Sequence, residues 1–363
     1  MKLLFISLDL SDYNCKTHQA IFTDEIACKG HEITYISPNK HKPVHENVEN
    51  INFNTHVDPS DELIKLLREQ NFDVALTFSV KGINWLEKIY FNTGLKTKTV
   101  CQVLDVPLFR LKTQFLTDYH FNFQKEWDKY FSLLQKCDIV ITNTLITKKI
   151  LIGKGIGVKK IRNIYYGISI PNIPNIDIKD KKNQIVFVSR LRWYKGLDIL
   201  MYSLAMLKDK PELHIIGFEE EEKPSFKLLN CDVPFRYLLM ANQLNLKIAF
   251  YGSISDSEKF KIIKESKLAV FPDYSETISS LFPLEAVYCG TICLVGDFPI
   301  NRERFKETVL YIDEQFNTEK WKKGIELCLE NTARVKMDWW ILKNRSHISY
   351  SRNLIKVLRD VLK

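Results

Sequence analysis

Two carboxylates, Glu276 and Glu285, bracket an apolar run in the stretch Phe271 to Gly290, FPDYSETISSLFPLEAVYCG. The LAVF of Leu268 to Phe271 predicts the end of a buried strand, and Pro272 breaks it. A polar loop then carries Glu276, and an apolar run opens a helix carrying Glu285. Strand, hydroxyl-rich loop and helix N-terminus together suit an anion, because unpaired backbone N–H groups and the helix dipole both favour negative charge there. Glu276 lies ahead of that phosphate site and Glu285 about one turn inside the helix, so a carboxylate can reach sugar hydroxyls on each side of a diphosphate. That chemistry fits a nucleotide sugar. Taken singly, a loop glutamate and a helix glutamate are more often solvated surface.

Cations for the same diphosphate stand in Ser189 to Gly196, SRLRWYKG. Arg190 ends a predicted strand and Lys195 falls at the start of the helix that follows, so two positive groups can converge on one anion while Gly196 permits close backbone approach. The competing reading is an ordinary basic turn. Both this segment and the Glu276/Glu285 unit fall at carboxyl ends of strands in one predicted sheet, where doubly wound folds bind ligands.

The elements that must hold these groups alternate along the chain. Lys2 to Leu8 reads as a central parallel strand, followed by the polar loop Asp9 to Lys16, a helix from about Thr17 stopped near Gly30, and a strand GHEITYISP ended by Pro38. This is a Rossmann-like opening, although its first loop lacks GxGxxG, which argues against a dinucleotide there. Helices are expected over Ser60 to Gln70, Ile83 to Phe91 and Gln124 to Lys136, with strands over Phe72 to Phe78, Thr97 to Leu104 and CDIVITNT; Asp105 stands at the carboxyl edge of the second of these strands. In 147–162, lysines and Arg162 interleave with isoleucine and leucine: a solvated helix face, or a basic amphipathic surface for anionic membrane.

Pro171 to Asn183, rich in proline, asparagine and charge, reads as a linker. After it the alternation restarts, so the expected class is α/β with two Rossmann-like domains facing across a cleft: 1–170, linker 171–183, 184–345, and a helix 346–363 packing back on the first domain.

With 363 residues, 45% hydrophobic and 12% aromatic, two cores are affordable and long disorder is not expected. The charge of +8 is the small excess of 52 basic over 44 acidic residues, spread without a basic stripe or motif, so nucleic acid is not an expected partner. Eight cysteines form no CxxC pair and several lie in apolar runs, the pattern of reduced, buried thiols in a cytoplasmic protein. The start MKLLFISLDLSDY is too short and too early broken by Asp9 for a signal peptide, and no window reaches membrane-span length. His18, His31 and His120 lack metal-ligand spacing, and Trp321 and Asp338-Trp-Trp340 read as helix packing.

The second half resembles the retaining glycosyltransferase family 4, whose members have the two-Rossmann GT-B fold. The residues that carry it are SRLRWYKGLDIL (189–200), HIIG (214–217), FYGSIS (250–255) and PDYSETISSLFPLEAVYCGT (272–291); CDIVITNT and KKIRNIYYGIS (159–169) carry a weaker likeness in the first half. The resemblance implies that Arg190 and Lys195 bind the donor diphosphate and stabilise the leaving group. It implies that Glu285 accepts from the ribose, that Glu276 faces the donor sugar, and that backbone around Ser279, Ser280 and Leu281 donates to the distal phosphate. Gly217 and Ser253 fall in its donor-site motifs. The donor implied is a nucleoside diphosphate sugar, UDP- or GDP-linked, and the acceptor a glycan or lipid-linked hydroxyl, with peripheral membrane contact through 147–162. No metal or other cofactor is expected: two fixed cations and backbone amides take the part of a divalent ion, and the chain has no D-x-D.

The chain departs from the family in three places. The family's two glutamates stand one residue closer together than Glu276 and Glu285. Its glycine-rich EGFG is here Glu-Thr-Ile-Ser, and its His-Asp strand end is here Leu104-Asp105, which leaves Asp105 or the loop Asp9 to Asn14 in the imidazole's place. An inverting transferase or epimerase on the same fold, or a catalytically silent nucleotide-sugar-binding protein, are the alternatives.

Overall fold

Runs of apolar, largely β-branched residues make buried parallel strands, and the segments between them bury one face as helices. The structure is a computed structural model that describes residues 1–7, 18–38, 43–55, 57–104, 117–169, 176, 180–191, 195–217, 225–228, 231–273, 280–330 and 339–363. The chain divides into two compact units, one holding the described residues up to 169 together with 343–363, the other the described residues within 170–342.

The first unit holds β1 (Lys2–Ile6), α1 (His18–Ala27), β2 (Glu32–Ser37), β3 (Val48–Asn52), α2 (Asp61–Glu69), β4 (Val74–Thr77), α3 (Ile83–Ile89), β5 (Lys98–Val103), α4 (Thr117–Lys136), β6 (Ile139–Thr142), α5 (Leu145–Gly153) and β7 (Ile161–Asn163). Its seven strands are all parallel in the order β3-β2-β1-β4-β5-β6-β7, so the order reverses between β1 and β4. Leu3, Phe5, Val74, Leu76, Val100 and Ile141 form the centre of its core.

The second unit holds β8 (Lys182–Val188), α6 (Leu197–Ala205), β9 (Glu212–Ile216), β10 (Ser225–Leu228), β11 (Cys231–Pro234), α7 (Phe235–Gln243), β12 (Ile248–Gly252), α8 (Asp256–Glu265), β13 (Ser266–Phe271), α9 (Phe282–Tyr288), β14 (Ile292–Gly296), α10 (Pro299–Phe305), β15 (Leu310–Ile312) and α11 (Thr318–Glu330). β10 and β11 pair as an antiparallel ribbon. The other strands form a parallel sheet in the order β12-β9-β8-β13-β14-β15, reversing between β8 and β13. Trp321 is fully buried in this core, its indole N–H donating to Gln315 O at 2.9 Å.

After α12 (Trp339–Asn344) the chain enters α13 (His347–Asp360), capped by Ser346, whose side chain accepts from Ser349 N. α13 packs on α1 within the first unit, and Tyr350, fully buried, stacks near Phe22 and Tyr166 while its hydroxyl donates to Gln102 Oε1 at 2.6 Å.

Several local expectations shift. α4 starts at Thr117, ahead of Gln124. The basic stretch 147–162 is no single helix face: it runs through α5, a 3-10 turn at Val158–Lys160 and β7. There Lys160 Nζ donates to the carbonyls of Gln135 and Cys137 at 2.7 and 3.0 Å, so that cation is spent within the unit. Of the described cysteines five are buried and free, but Cys28, just past α1, is exposed.

β8 begins inside the stretch read as a linker, and Lys181 before it is buried, its ammonium donating to Lys264 O at 2.6 Å and Thr291 Oγ1 at 2.9 Å. Burial lowers its pKa from 10.5 to about 8. The unfolded chain therefore binds more protons than the folded one between about pH 8 and 10.5, and this group's contribution makes stability rise with pH across that window. Lys181→Met is expected to flatten the rise. Urea midpoints measured at about pH 7.5 and pH 10 check it, the wild type gaining more than the variant.

Candidate functional site

The carboxyl ends of β12, β9, β8 and β13 lie side by side, and the reversal of strand order between β8 and β13 makes a switch point of the kind at which α/β sheets bind ligands. The residue following β8 is Ser189, whose N–H donates to Ile216 O at 3.1 Å; Gly217, following β9, donates from its N–H to Gly252 O at 2.8 Å. Gly217 has φ +149°, and a Cβ there would stand 1.8 Å from Ser189 O. Gly196 has φ +73°, and its Cβ would meet Pro272 O at 2.0 Å. The close approach that Gly196 permits is thus to its own chain, at the end of β13, whereas the sequence pattern had pointed to a ligand. α6 starts one residue after this left-handed glycine, later than the expected start at Lys195.

Lys195 is buried at the same switch point. Its Nζ donates to Asp273 Oδ2 at 2.8 Å, with the two side chains only 7% and 2% exposed, and it lies 5.5 Å from the centroid of the Phe271 ring. Arg190, at the end of β8, is exposed. Ser253, after β12, is exposed as well.

The other half of the site is α9, a short helix with Pro283 in its first turn and a ring contact from Phe282 to Phe271 of β13. Glu285 is buried in it, its N–H bonded to Leu281 O at 2.9 Å. Its Oε1 accepts from Lys259 Nζ of α8 at 3.0 Å, and the same ammonium meets Asp256 Oδ1 at 2.9 Å. Burial works against the Lys259 charge, but the Glu285 and Asp256 carboxylates more than offset it, so its pKa is held above the ordinary value. Ser280, half-buried ahead of α9, has its carbonyl engaged by the guanidinium of buried Arg304 in α10. Cys289, past the end of α9, has its thiol pushed up to about 12 by burial and by Glu285; it stays protonated at neutral pH and offers no thiolate nucleophile.

Residues 170–346 match the family model described as Glycosyl transferases group 1. The chain carries a glycosyl transferases group 1 domain. Both units are Rossmann-like, and the fold is GT-B. Among similar proteins is the N,N'-diacetylbacillosaminyl-diphospho-undecaprenol alpha-1,3-N-acetylgalactosaminyltransferase of Campylobacter jejuni, 24% identical over 261 residues, which are 65% of this chain and 61% of that protein. The chain thus spans less than two thirds of that relative. Similar solved structures include Anabaena Alr3699/HepE in complex with UDP, at TM-score 0.74 and 15% identity with 99% of this chain and 100% of that one covered. WaaG, a glycosyltransferase involved in lipopolysaccharide biosynthesis, follows at TM-score 0.64 and 15% identity, with 99% and 98% covered.

Within the group 1 domain, Arg190, Lys195, Gly217, Ser253, Ser280, Leu281 and Glu285 are described, all in loops or helices that follow β8, β9, β12 and β13. Glu276, Ser279, Asp105 and the loop Asp9 to Asn14 lie outside the described residues. Three residues escaped the sequence reading. Asp273 had a usable signal, a carboxylate just past a strand-ending proline. Lys259 and Arg304 had none, since each meets its partner, Glu285 or Ser280, only through the packing of separate helices. Among the described residues no group of three or more His, Cys, Asp or Glu side chains could hold a metal ion, and no helix is long and apolar enough to cross a membrane.

Proposed function

We propose that this protein transfers a sugar from a nucleoside diphosphate sugar to an acceptor hydroxyl, with retention of the anomeric configuration and without a metal ion. The observation that carries the reading is the buried Lys195–Asp273 pair at the β8/β13 switch point of a glycosyl transferases group 1 domain, with Glu285 on the helix that follows β13. Asp273 holds the Lys195 ammonium at a fixed place, which is what electrostatic stabilisation of a leaving group requires. In the proposed reaction the bond from the anomeric carbon to the diphosphate oxygen breaks and its electron pair goes to the diphosphate. Arg190 and Lys195 meet that charge. The acceptor hydroxyl attacks on the same face and passes its proton to the departing oxygen. Glu285 accepts from the ribose, Glu276 faces the donor sugar, and amides around Ser279 to Leu281 donate to the distal phosphate.

Acceptor recognition is assigned to the first unit, and Asp105 is kept as the carboxylate candidate that the sequence offers there. The name of the Campylobacter relative specifies a diphospho-undecaprenol-linked acceptor, and a lipid-linked acceptor belongs to the proposal here. Leu145 and Val158, 47% and 57% exposed beside Lys148, Lys149 and Lys159, would then touch the cytoplasmic membrane face.

A panel of UDP- and GDP-sugars tested for thermal stabilisation, followed by anomer analysis of the product, tests the reading. Arg190→Ala is the discriminating variant. Because Arg190 is exposed and its contacts are screened by water, its removal is expected to shift the melting temperature only slightly. Loss of one charge-assisted contact is expected to weaken donor binding by about 10- to 100-fold. Unchanged affinity by calorimetry would remove Arg190 from the donor site.

A further inference from the structure

The carboxylate assigned to the ribose is gripped by a side chain from another helix, and that grip bears on which ligand α9 accepts. α8 is anchored by a capping box: Ser255 Oγ accepts from Glu258 N, and the Glu258 side chain accepts from Ser255 N at 3.1 Å. The cap sets the start of the helix and so the place of Lys259 one turn on. The Lys259 side chain is 15% exposed, crosses the ring of Phe260 with its ammonium 4.6 Å from the centroid, and ends between Asp256 and Glu285. Glu285 is 5% exposed in its side chain. A carboxylate with one oxygen held by a cation keeps the other in a fixed direction, and it only accepts hydrogen bonds. Two ribose hydroxyls are best met by a group that only accepts.

We propose that Lys259 is a positioning residue of the nucleoside subsite, holding Oε1 of Glu285 so that Oε2 is left to accept from the vicinal ribose hydroxyls of a ribonucleoside diphosphate. The role rests on the reading of Glu285 as the ribose acceptor and adds to it the group that keeps that carboxylate oriented. Lys259 itself touches no substrate. Asp256, its second carboxylate partner, draws the ammonium toward the first turn of α8 and fixes the direction from which Oε1 is held.

The test is discrimination between ribose and its dideoxy form. Binding of UDP and GDP, each compared with its 2′,3′-dideoxy counterpart, is measured by calorimetry on the full chain. The wild type is expected to bind one ribonucleotide at least tenfold better than its dideoxy form. Lys259→Met is expected to lose about tenfold on the ribonucleotide and little on the dideoxy form, so that discrimination collapses, and Lys259→Arg is expected to restore part of it. A merely structural role would weaken both ligands by the same factor, and that result overturns the proposal. Should Lys259→Met fail to fold, Lys259→Gln gives the same readout: reduced discrimination supports the role and undiminished discrimination overturns it. Glu285→Gln separates the two levels. If it leaves discrimination intact, the ribose reading of α9 fails and Lys259 falls with it; if it abolishes discrimination while the Lys259 variants do not, only the positioning role fails. Binding of neither nucleotide overturns both.

Discussion

Lys195→Met is expected to abolish sugar transfer and to cost the fold about 3–5 kcal/mol, the penalty for removing one partner of a buried ion pair. Asp273 is 2% exposed in its side chain and loses the ammonium 2.8 Å away. The carboxylate then sits buried at the switch point without that cation. The two effects can be separated. Lys195→Met combined with Asp273→Asn removes both charges, and most of the lost stability is expected to return in urea unfolding. Transfer from a nucleotide sugar is expected to stay lost, because the cation proposed to meet the diphosphate is still missing. Recovery of transfer in the double variant would show that the lysine serves only to neutralise Asp273, and the leaving-group role would be withdrawn.

Gly217→Ala is expected to displace the ends of β8 and β9 with a large fall in melting temperature and loss of donor binding. The added Cβ would lie 1.8 Å from Ser189 O and 2.8 Å from Ser189 C, both backbone atoms that no side-chain rotation can move. The φ of +149° adds strain for any L side chain, of order 1–3 kcal/mol. Relief requires the strand ends to part, and the bonds from Ser189 N to Ile216 O and from Gly217 N to Gly252 O go with them. Arg190 is the next residue after Ser189, so the same movement carries away the cation proposed for the donor site. Calorimetric melting together with UDP-sugar titration checks this; an alanine variant that melts and binds like the wild type would mean the backbone there can relax without cost.

The central strands were legible because burial on both faces demands an unbroken apolar run, as in KLLFISL and QIVFVSR. β3 and β7 were not. VENIN and IRN lie at the two edges of the first sheet, where partial exposure lets polar residues in and erases the signal. The ribbon β10–β11 was missed for a related reason, since a short antiparallel pair of mixed polarity has neither a long apolar run nor a glycine-marked turn. In the site, the order of motifs after β8, β9, β12 and β13 was readable. The pairing of the charges within them was not.

The sequence alone determined the alternation of strands and helices, the points where proline and glycine stop them, and the clustering of Arg190, Lys195 and Glu285 after strands of one sheet. These are local matters, written in the period of apolar residues and in backbone freedom. The tertiary structure decided that Lys195 faces Asp273 across 78 residues of chain and that Glu285 faces Lys259 across 26. Charges carry no period, and an ion pair is worth little in water; it becomes specific only when strand order brings both partners into the same buried place.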